Sequence, residues 1–344
     1  MNLLECEPPI VIDTGSLNTR VGTGGYEKPE VTFLTSSLAR PGTTPINHGI
    51  IQNWDDLTTI FRKIFTTDVK QETSSTPVVL TSTSNAPDSQ RIKLAEIFFE
   101  TYSTPFFAIE NSCTLNLFGS DKKTGLFIEI GEGITDIAPF YEGFGLERGN
   151  ICSKLAGLSV TKYLQKILHK NQKMYIDNIP SLREIKEQYC YAWSDQPPAA
   201  QEISTGRINL RLKDELAKCS DFLFHPHMFG AQAKGVHQMI YDSIMSVEAG
   251  MRGQLLNNIY IGGGATLMKG FKERLDIELK ALLGETPFQV HVPEIFENTA
   301  WFGGSIFSSV DQFEKSAISG KEYLDEGASA AYRKHHKQFT QPPF

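Results

Sequence analysis

Two stretches far apart in the chain carry one pattern, and that repetition constrains the fold more than any other feature. Near the start, Pro9-Ile10-Val11-Ile12-Asp13-Thr14-Gly15-Ser16 is a short apolar run ending in a carboxylate and a glycine turn, with Val21-Gly22 close behind. Further on, Leu126-Phe127-Ile128-Glu129-Ile130-Gly131-Glu132-Gly133-Ile134-Thr135 repeats the order and leads into Ile137-Ala138-Pro139-Phe140. Each reads as a strand, a tight turn and a returning strand. So wide a spacing points to duplication of a large unit and not to a short-period solenoid.

A third glycine segment, Ile259-Tyr260-Ile261-Gly262-Gly263-Gly264-Ala265-Thr266, precedes Met268–Leu283, where Phe271, Leu275, Ile277, Leu279 and Leu282 recur at helix-like intervals. Backbone N–H groups at such a turn can receive an anion. Helical patterns over Asp55–Phe65, Ser89–Thr101, Val160–Leu168 and Leu182–Tyr191 alternate with strand-like Pro77–Thr81 and Phe106–Ile109. Alternation of this kind predicts an α/β chain with helices packed on sheets. Ser194–Thr205 reads as a surface loop and Gln338–Phe344 as a short tail.

The glycine turns limit the chemistry. No GxxxxGK[ST] is present, and Ile261–Gly270 lacks dinucleotide-fingerprint spacing, which argues against a P-loop NTPase and a Rossmann dehydrogenase. Two facing hairpins, one Asp-x-Gly and one Glu-x-Gly-x-Gly, instead offer N–H groups to phosphate oxygens and carboxylates to the waters of a Mg²⁺ ion. Composition narrows the field further. The 344 residues suffice for about two domains. With 33 basic and 40 acidic residues the net charge is −7, so no general positive field draws nucleic acid. Five scattered cysteines without CxxC spacing read as reduced thiols, with neither a disulfide framework nor a zinc site. The acidic N-terminus and the lack of a long apolar run lead us to expect a soluble intracellular protein without membrane contact.

Longer motifs then carry a resemblance. His48-Gly49-Ile50-Ile51-Gln52-Asn53-Trp54-Asp55-Asp56-Leu57, Phe99-Glu100-Thr101-Tyr102-Ser103-Thr104-Pro105, Ile185–Tyr191, Ala300-Trp301-Phe302-Gly303-Gly304-Ser305-Ile306, Ile318–Tyr323 and Tyr332-Arg333-Lys334 occur in order. With them the chain resembles actin and the actin-related proteins from about Ile10 to Lys334. The resemblance implies the two-domain actin/hexokinase/heat-shock-chaperone ATPase fold, with a cleft for ATP or ADP and Mg²⁺. Residues 1–117 with 299–344 would form the first domain and 118–298 the second. Carried over by motif, Asp13, Gly15, Ser16, Arg20 and Gly22 form the first phosphate loop. Glu129, Gly131, Glu132, Gly133, Ile134 and Thr135 form the second. Arg183, Lys186 and Glu187 approach the adenosine from one side; Gly263, Gly264, Ala265 and Leu267 flank it from the other. Asp13 and Glu129 hold Mg²⁺ through water, and Glu110 and Asp136 are the candidate catalytic groups.

The departures from the family pattern bear on function. Only Gly42, Thr43 and Thr44 join Pro41 to Pro45, where the family has a small outer subdomain and the loop that inserts into the next filament protomer. This argues against homofilaments. Glutamate at Glu110 replaces the common glutamine, Asp136 a histidine, Glu129 an aspartate, Leu17 a glycine and Arg20 a lysine. A carboxylate at Glu110 could serve as a general base or simply repel phosphate. His225 and His227 read as structural histidines. Ser305–Phe313 is expected to be a helix presenting Phe307 and Val310 to an apolar partner groove. The expectation is a divergent actin-related protein that binds adenine nucleotide structurally. It would serve as a non-polymerising subunit of a larger cytoskeletal assembly in the cytoplasm, meeting other actin-like subunits through the groove face and contacting no nucleic acid directly. The alternatives are a slowly cycling ATPase switch and a nuclear chromatin-remodelling subunit.

Overall fold

The computed structural model describes residues 3–193, 199–205, 208–293 and 298–338. Two sheets organise it, and each is seeded by one of the duplicated hairpins. In the first, Ile10–Thr14 pairs antiparallel with Asn18–Thr23 and parallel with Val78–Ser82. Phe106–Asn111 and Ile318–Ser319 extend that side, and Val31–Leu34 the other. In the second, Gly125–Ile130 pairs antiparallel with Thr135–Tyr141 and parallel with Ile259–Gly262. Phe144–Gly145, Ile151–Ser153 and Val290–His291 complete it. The same antiparallel-then-parallel order around the leading strand is the duplication anticipated above.

The leading strands are apolar up to their acids because both faces are covered. Ile10 and Ile12 face a core with Leu57, Ile60, Phe61, Leu94 and Phe98, while Val11 faces the opposite one with Val79, Trp301, Phe307 and Phe313. The helix Thr299–Phe307 crosses Ser112–Gly119 in very close contact. A Cβ on Gly303 would collide with the Leu115 carbonyl oxygen, so only glycine allows the crossing. Trp301 then donates its indole N–H to the Val11 carbonyl at 3.0 Å. Among the described residues, no helix is long and apolar enough to cross a membrane.

Several boundaries differ from the sequence reading. The helices Trp54–Lys63 and Asp88–Glu96 each finish in a widened turn, Ile64–Asp68 and Ile97–Thr101. Gln201–Thr205 is a strand paired with Ile208–Leu212, not a loop; Ile203 and Leu210 are buried and anchor it. Residues 194–198 of the expected loop, and 339–344 of the expected tail, lie outside the described residues. A short 3₁₀ turn, Gly264–Leu267, separates the third glycine segment from the helix Phe271–Leu283. The expected helix Ser305–Phe313 is broken: one helix ends at Phe307 and the next runs Asp311–Ser316. Phe307 is 1% exposed and packs edge-on against Phe118 and Phe313, so it is core and not a partner contact. Val310 sits in the connecting turn, 39% exposed. Arg40–Ile46 makes a tight turn pinned to the helix start, where Arg40 Nε donates to Asp56 at 3.0 Å and Thr43 donates to the same carboxylate.

Candidate nucleotide site

The two hairpin turns are closed in the same way. Gly15 N–H donates to the Asn18 carbonyl at 2.9 Å, and Gly131 N–H donates to the Ile134 carbonyl at 2.9 Å. Asp13 faces Arg20 across its hairpin, and Glu129 faces Asp136 across the other. Both turns open into one cavity of about 450 Å³, within the range of small-molecule sites. Of the predicted residues, Asp13, Gly15, Ser16, Arg20, Glu129, Gly131, Glu132, Gly133, Ile134, Asp136, Lys186, Glu187, Gly264, Ala265 and Leu267 line it.

At the cavity floor the two acids are held differently. Asp13 pairs with Arg20 at 3.0 Å and accepts the Thr81 hydroxyl at 2.6 Å. Glu129 instead accepts from neutral groups, Asn116 Nδ2 at 2.8 Å and the Thr299 hydroxyl at 3.0 Å. Burial pushes its carboxyl up to about 6, opposed by those two hydrogen bonds and reinforced by the nearby Asp13 charge. A divalent cation would relieve that penalty. The Arg20 Nε and Asn116 Oδ1 atoms are buried without a hydrogen-bond partner, so the floor keeps unused polar capacity. Gly262 completes it: a Cβ there would come within 2.9 Å of Glu129 Oε2.

The two turns lie against each other, and a third segment, His48-Gly49, bridges them. His48 Nδ1 lies 2.6 Å from the Gly133 carbonyl, and Gly49 N–H donates to the Ser16 hydroxyl at 3.3 Å. A Cβ on Gly133 would overlap Ser16 Oγ and sit 3.1 Å from His48 Cα. Bare backbone at Gly133 therefore permits the close approach. On the other side, Glu132 turns from the cavity floor to Arg183 Nε at 3.1 Å and Lys186 Nζ at 3.2 Å. The second turn's carbonyls receive a helix start, since Gly157 and Leu158 N–H donate to Gly131 and Glu132 at 2.9 and 2.8 Å.

Five predicted residues stand behind the wall. Gly22 lies farther along its strand, where a Cβ would come 2.9 Å from the Trp301 ring. Thr135 is fully buried and donates to the Leu155 carbonyl at 2.6 Å. Arg183 holds Glu132, as above. Gly263, at φ +89°, packs on the backbone of Ile130. Glu110 is 2% exposed, and burial pushes its carboxyl up to about 8 against the pull of Arg91. Burial thus favours its neutral form, and it does not line the cavity. Asp136 does line the cavity, but both its oxygens are taken: Ser84 N–H donates to Oδ2 at 2.8 Å and the Ser84 hydroxyl donates to Oδ1. It latches the first sheet to the second. Thr81, Asn116 and Thr299 belong to the site without standing out in the sequence, and Gly262 and His48 join it without having been singled out as site residues. Only the glycine's position beside the third turn, and the histidine's place in a long motif, give any signal.

The donor set suits a nucleotide with Mg²⁺. Mg²⁺ keeps most of its waters and is commonly held through one or two carboxylates, which is what Asp13 and Glu129 offer. Residues 41–190 and 181–336 match the family model described as Actin. The first hairpin precedes the matched region, and its assignment rests on the mirrored turn geometry. A match over most of the sequence, on two sheets built from a duplicated hairpin, places this chain in the actin family.

Proposed function

We propose that the chain binds ATP or ADP with Mg²⁺ in this cavity and retains it structurally, as a non-polymerising subunit of a larger actin-type assembly in the cytoplasm. The observation that carries the nucleotide reading is the pair of glycine turns, closed by the same 2.9 Å bond and aimed into one cavity with a carboxylate at each base. Bound Mg²⁺ would supply charge neutralisation for the phosphates. The chain's own residues do the rest. Gly15, Ser16, Gly131 and Gly133 bring the backbone close to the phosphates, and Asp13 and Glu129 hold the metal's waters. Lys186, Glu187 and the Gly264–Leu267 turn bound the adenosine end.

Slow turnover follows from the protonation and bonding of the two candidate bases. Burial favours the neutral form of Glu110, which does not line the cavity, and both oxygens of Asp136 accept from Ser84. Neither is free to take a proton from water. The tight turn at Arg40–Ile46 supports the non-polymerising role, because it leaves no chain for an inserted loop. Partner subunits are then met on the side where Val310 is exposed. Titration with a fluorescent ATP analogue, with and without Mg²⁺, tests the binding. Phosphate release by the isolated protein tests turnover. Mg²⁺-dependent binding with negligible release is expected; no binding refutes the proposal, and release as fast as filament-forming actin refutes the structural role.

A further inference from the structure

Outside the lining of the cleft, three elements bring two imidazoles and a carboxylate together. His225 caps the helix Glu215–Phe224, His237 lies in Val236–Ser246, and Glu278 lies in Phe271–Leu283. Their ligand atoms all fall within 4.8 Å of one another. We propose that His225, His237 and Glu278 form a divalent transition-metal site of the zinc class, closed by water or by the exposed His227.

The spacing admits a metal, and hydrogen bonding satisfies only part of the cluster. His225 Nε2 is 2.9 Å from Glu278 Oε1, and His237 Nε2 is 3.9 Å from Oε2, beyond hydrogen-bond reach. A tetrahedral site with Zn–N and Zn–O bonds near 2.0–2.1 Å needs ligand atoms about 3.3 Å apart, which those two separations bracket. His237 adds an independent sign: it is 3% exposed, yet its Nδ1 has no hydrogen-bond partner among the described residues. A metal on Nδ1 would give that buried nitrogen the partner it lacks, and a metal on Nε2 would fix the ring in the Nδ1–H tautomer.

Charged neighbours leave room for a cation. Arg274 Nε donates to Glu278 Oε1 at 2.7 Å, and its Nη1 pairs with Asp221 at 3.0 Å. Two carboxylates thus share one guanidinium, and Oε2 stays turned toward His237. His227 is the nearest further imidazole, its ring centre 6.0 Å from that of His225 on an exposed turn. A metal here would tie three helices together without touching the cleft.

The test is a Co²⁺ titration of the full, chelator-stripped protein, followed by visible ligand-field absorption and by competition with Zn²⁺. We expect one equivalent bound with tetrahedral bands, no thiolate charge-transfer band, and displacement by Zn²⁺. His225→Ala and Glu278→Gln should each weaken binding on the order of 100-fold, with nucleotide content unchanged. Because His237→Ala opens a buried site, the partly exposed His225 is the variant on which the reading stands. Absence of stoichiometric binding, a thiolate band, or equal affinity in His225→Ala overturns the proposal.

Discussion

Replacing Gly133 by alanine puts a methyl group where the two turns meet. It would overlap Ser16 Oγ and lie 2.9 Å from Ser16 Cβ and 3.1 Å from His48 Cα. The serine hydroxyl can rotate away, but Ser16 Cβ and the His48 backbone cannot, so the first turn and the His48-Gly49 segment must move off the second turn. Overpacking of this kind costs about 1–3 kcal/mol. Parting them also weakens the His48–Gly133 and Gly49–Ser16 hydrogen bonds, each worth about 0.5–1.5 kcal/mol. Closure of the cleft should lose about 2–4 kcal/mol, which appears as nucleotide affinity reduced on the order of 100-fold. The assay is a titration with a fluorescent ATP analogue, alongside thermal unfolding with and without nucleotide. Gly253→Ala is the control. It is an exposed mid-helix glycine with nothing within 4 Å of the added methyl, and alanine there should stabilise by about 0.5–1 kcal/mol. Wild-type affinity and stability in Gly133→Ala would show that the turns do not meet in this way.

Other consequences concern the buried acids. Glu129 is raised to about 6 from 4.5, so the folded state binds the extra proton; nucleotide-free stability should rise by about 2 kcal/mol as pH falls through 6 toward 4.5. Thermal melts across that window should lose this slope in Glu129→Gln, and Mg²⁺ should flatten it in the wild type. Glu110 is raised to about 8, so its contribution to stability is complete below 4.5 and is lost progressively as pH rises to 8; Glu110→Gln should be more stable by about 2–4 kcal/mol at pH 8 and should bind nucleotide unchanged. An affinity loss in that variant would return Glu110 to the cleft. Asp136→Asn can accept only one of the two Ser84 hydrogen bonds and should cost about 1–3 kcal/mol in denaturant unfolding.

The duplicated hairpins were legible because their chemistry is local. An apolar run, one acid and a glycine turn fix strand, reversal and carboxylate position within a few residues of each other. What holds each acid was not legible, since Thr81, Asn116 and Thr299 reach Asp13 and Glu129 from distant segments. Helical periodicity misled at Ser305–Phe313. The pattern continues through Ser308, but that hydroxyl bonds back to the Ser305 carbonyl and the chain turns, leaving Phe307 inward and Val310 outward. Glu110 was placed by motif, yet strand pairing carries it under the sheet beside Arg91. The Gln201–Thr205 strand hid in polar composition because only Ile203 marks its inward face. His225, His237 and Glu278 became neighbours only through the packing of three helices.

Everything proposed for the cleft depends on its being a nucleotide site that retains its occupant. Acid extraction of the purified native protein, with chromatographic identification and counting of what is released, decides this. Close to one adenine nucleotide per chain is expected, retained through dialysis in Mg²⁺ and lost on chelation. A folded protein that carries no nucleotide and takes none up from ATP and Mg²⁺ would contradict it.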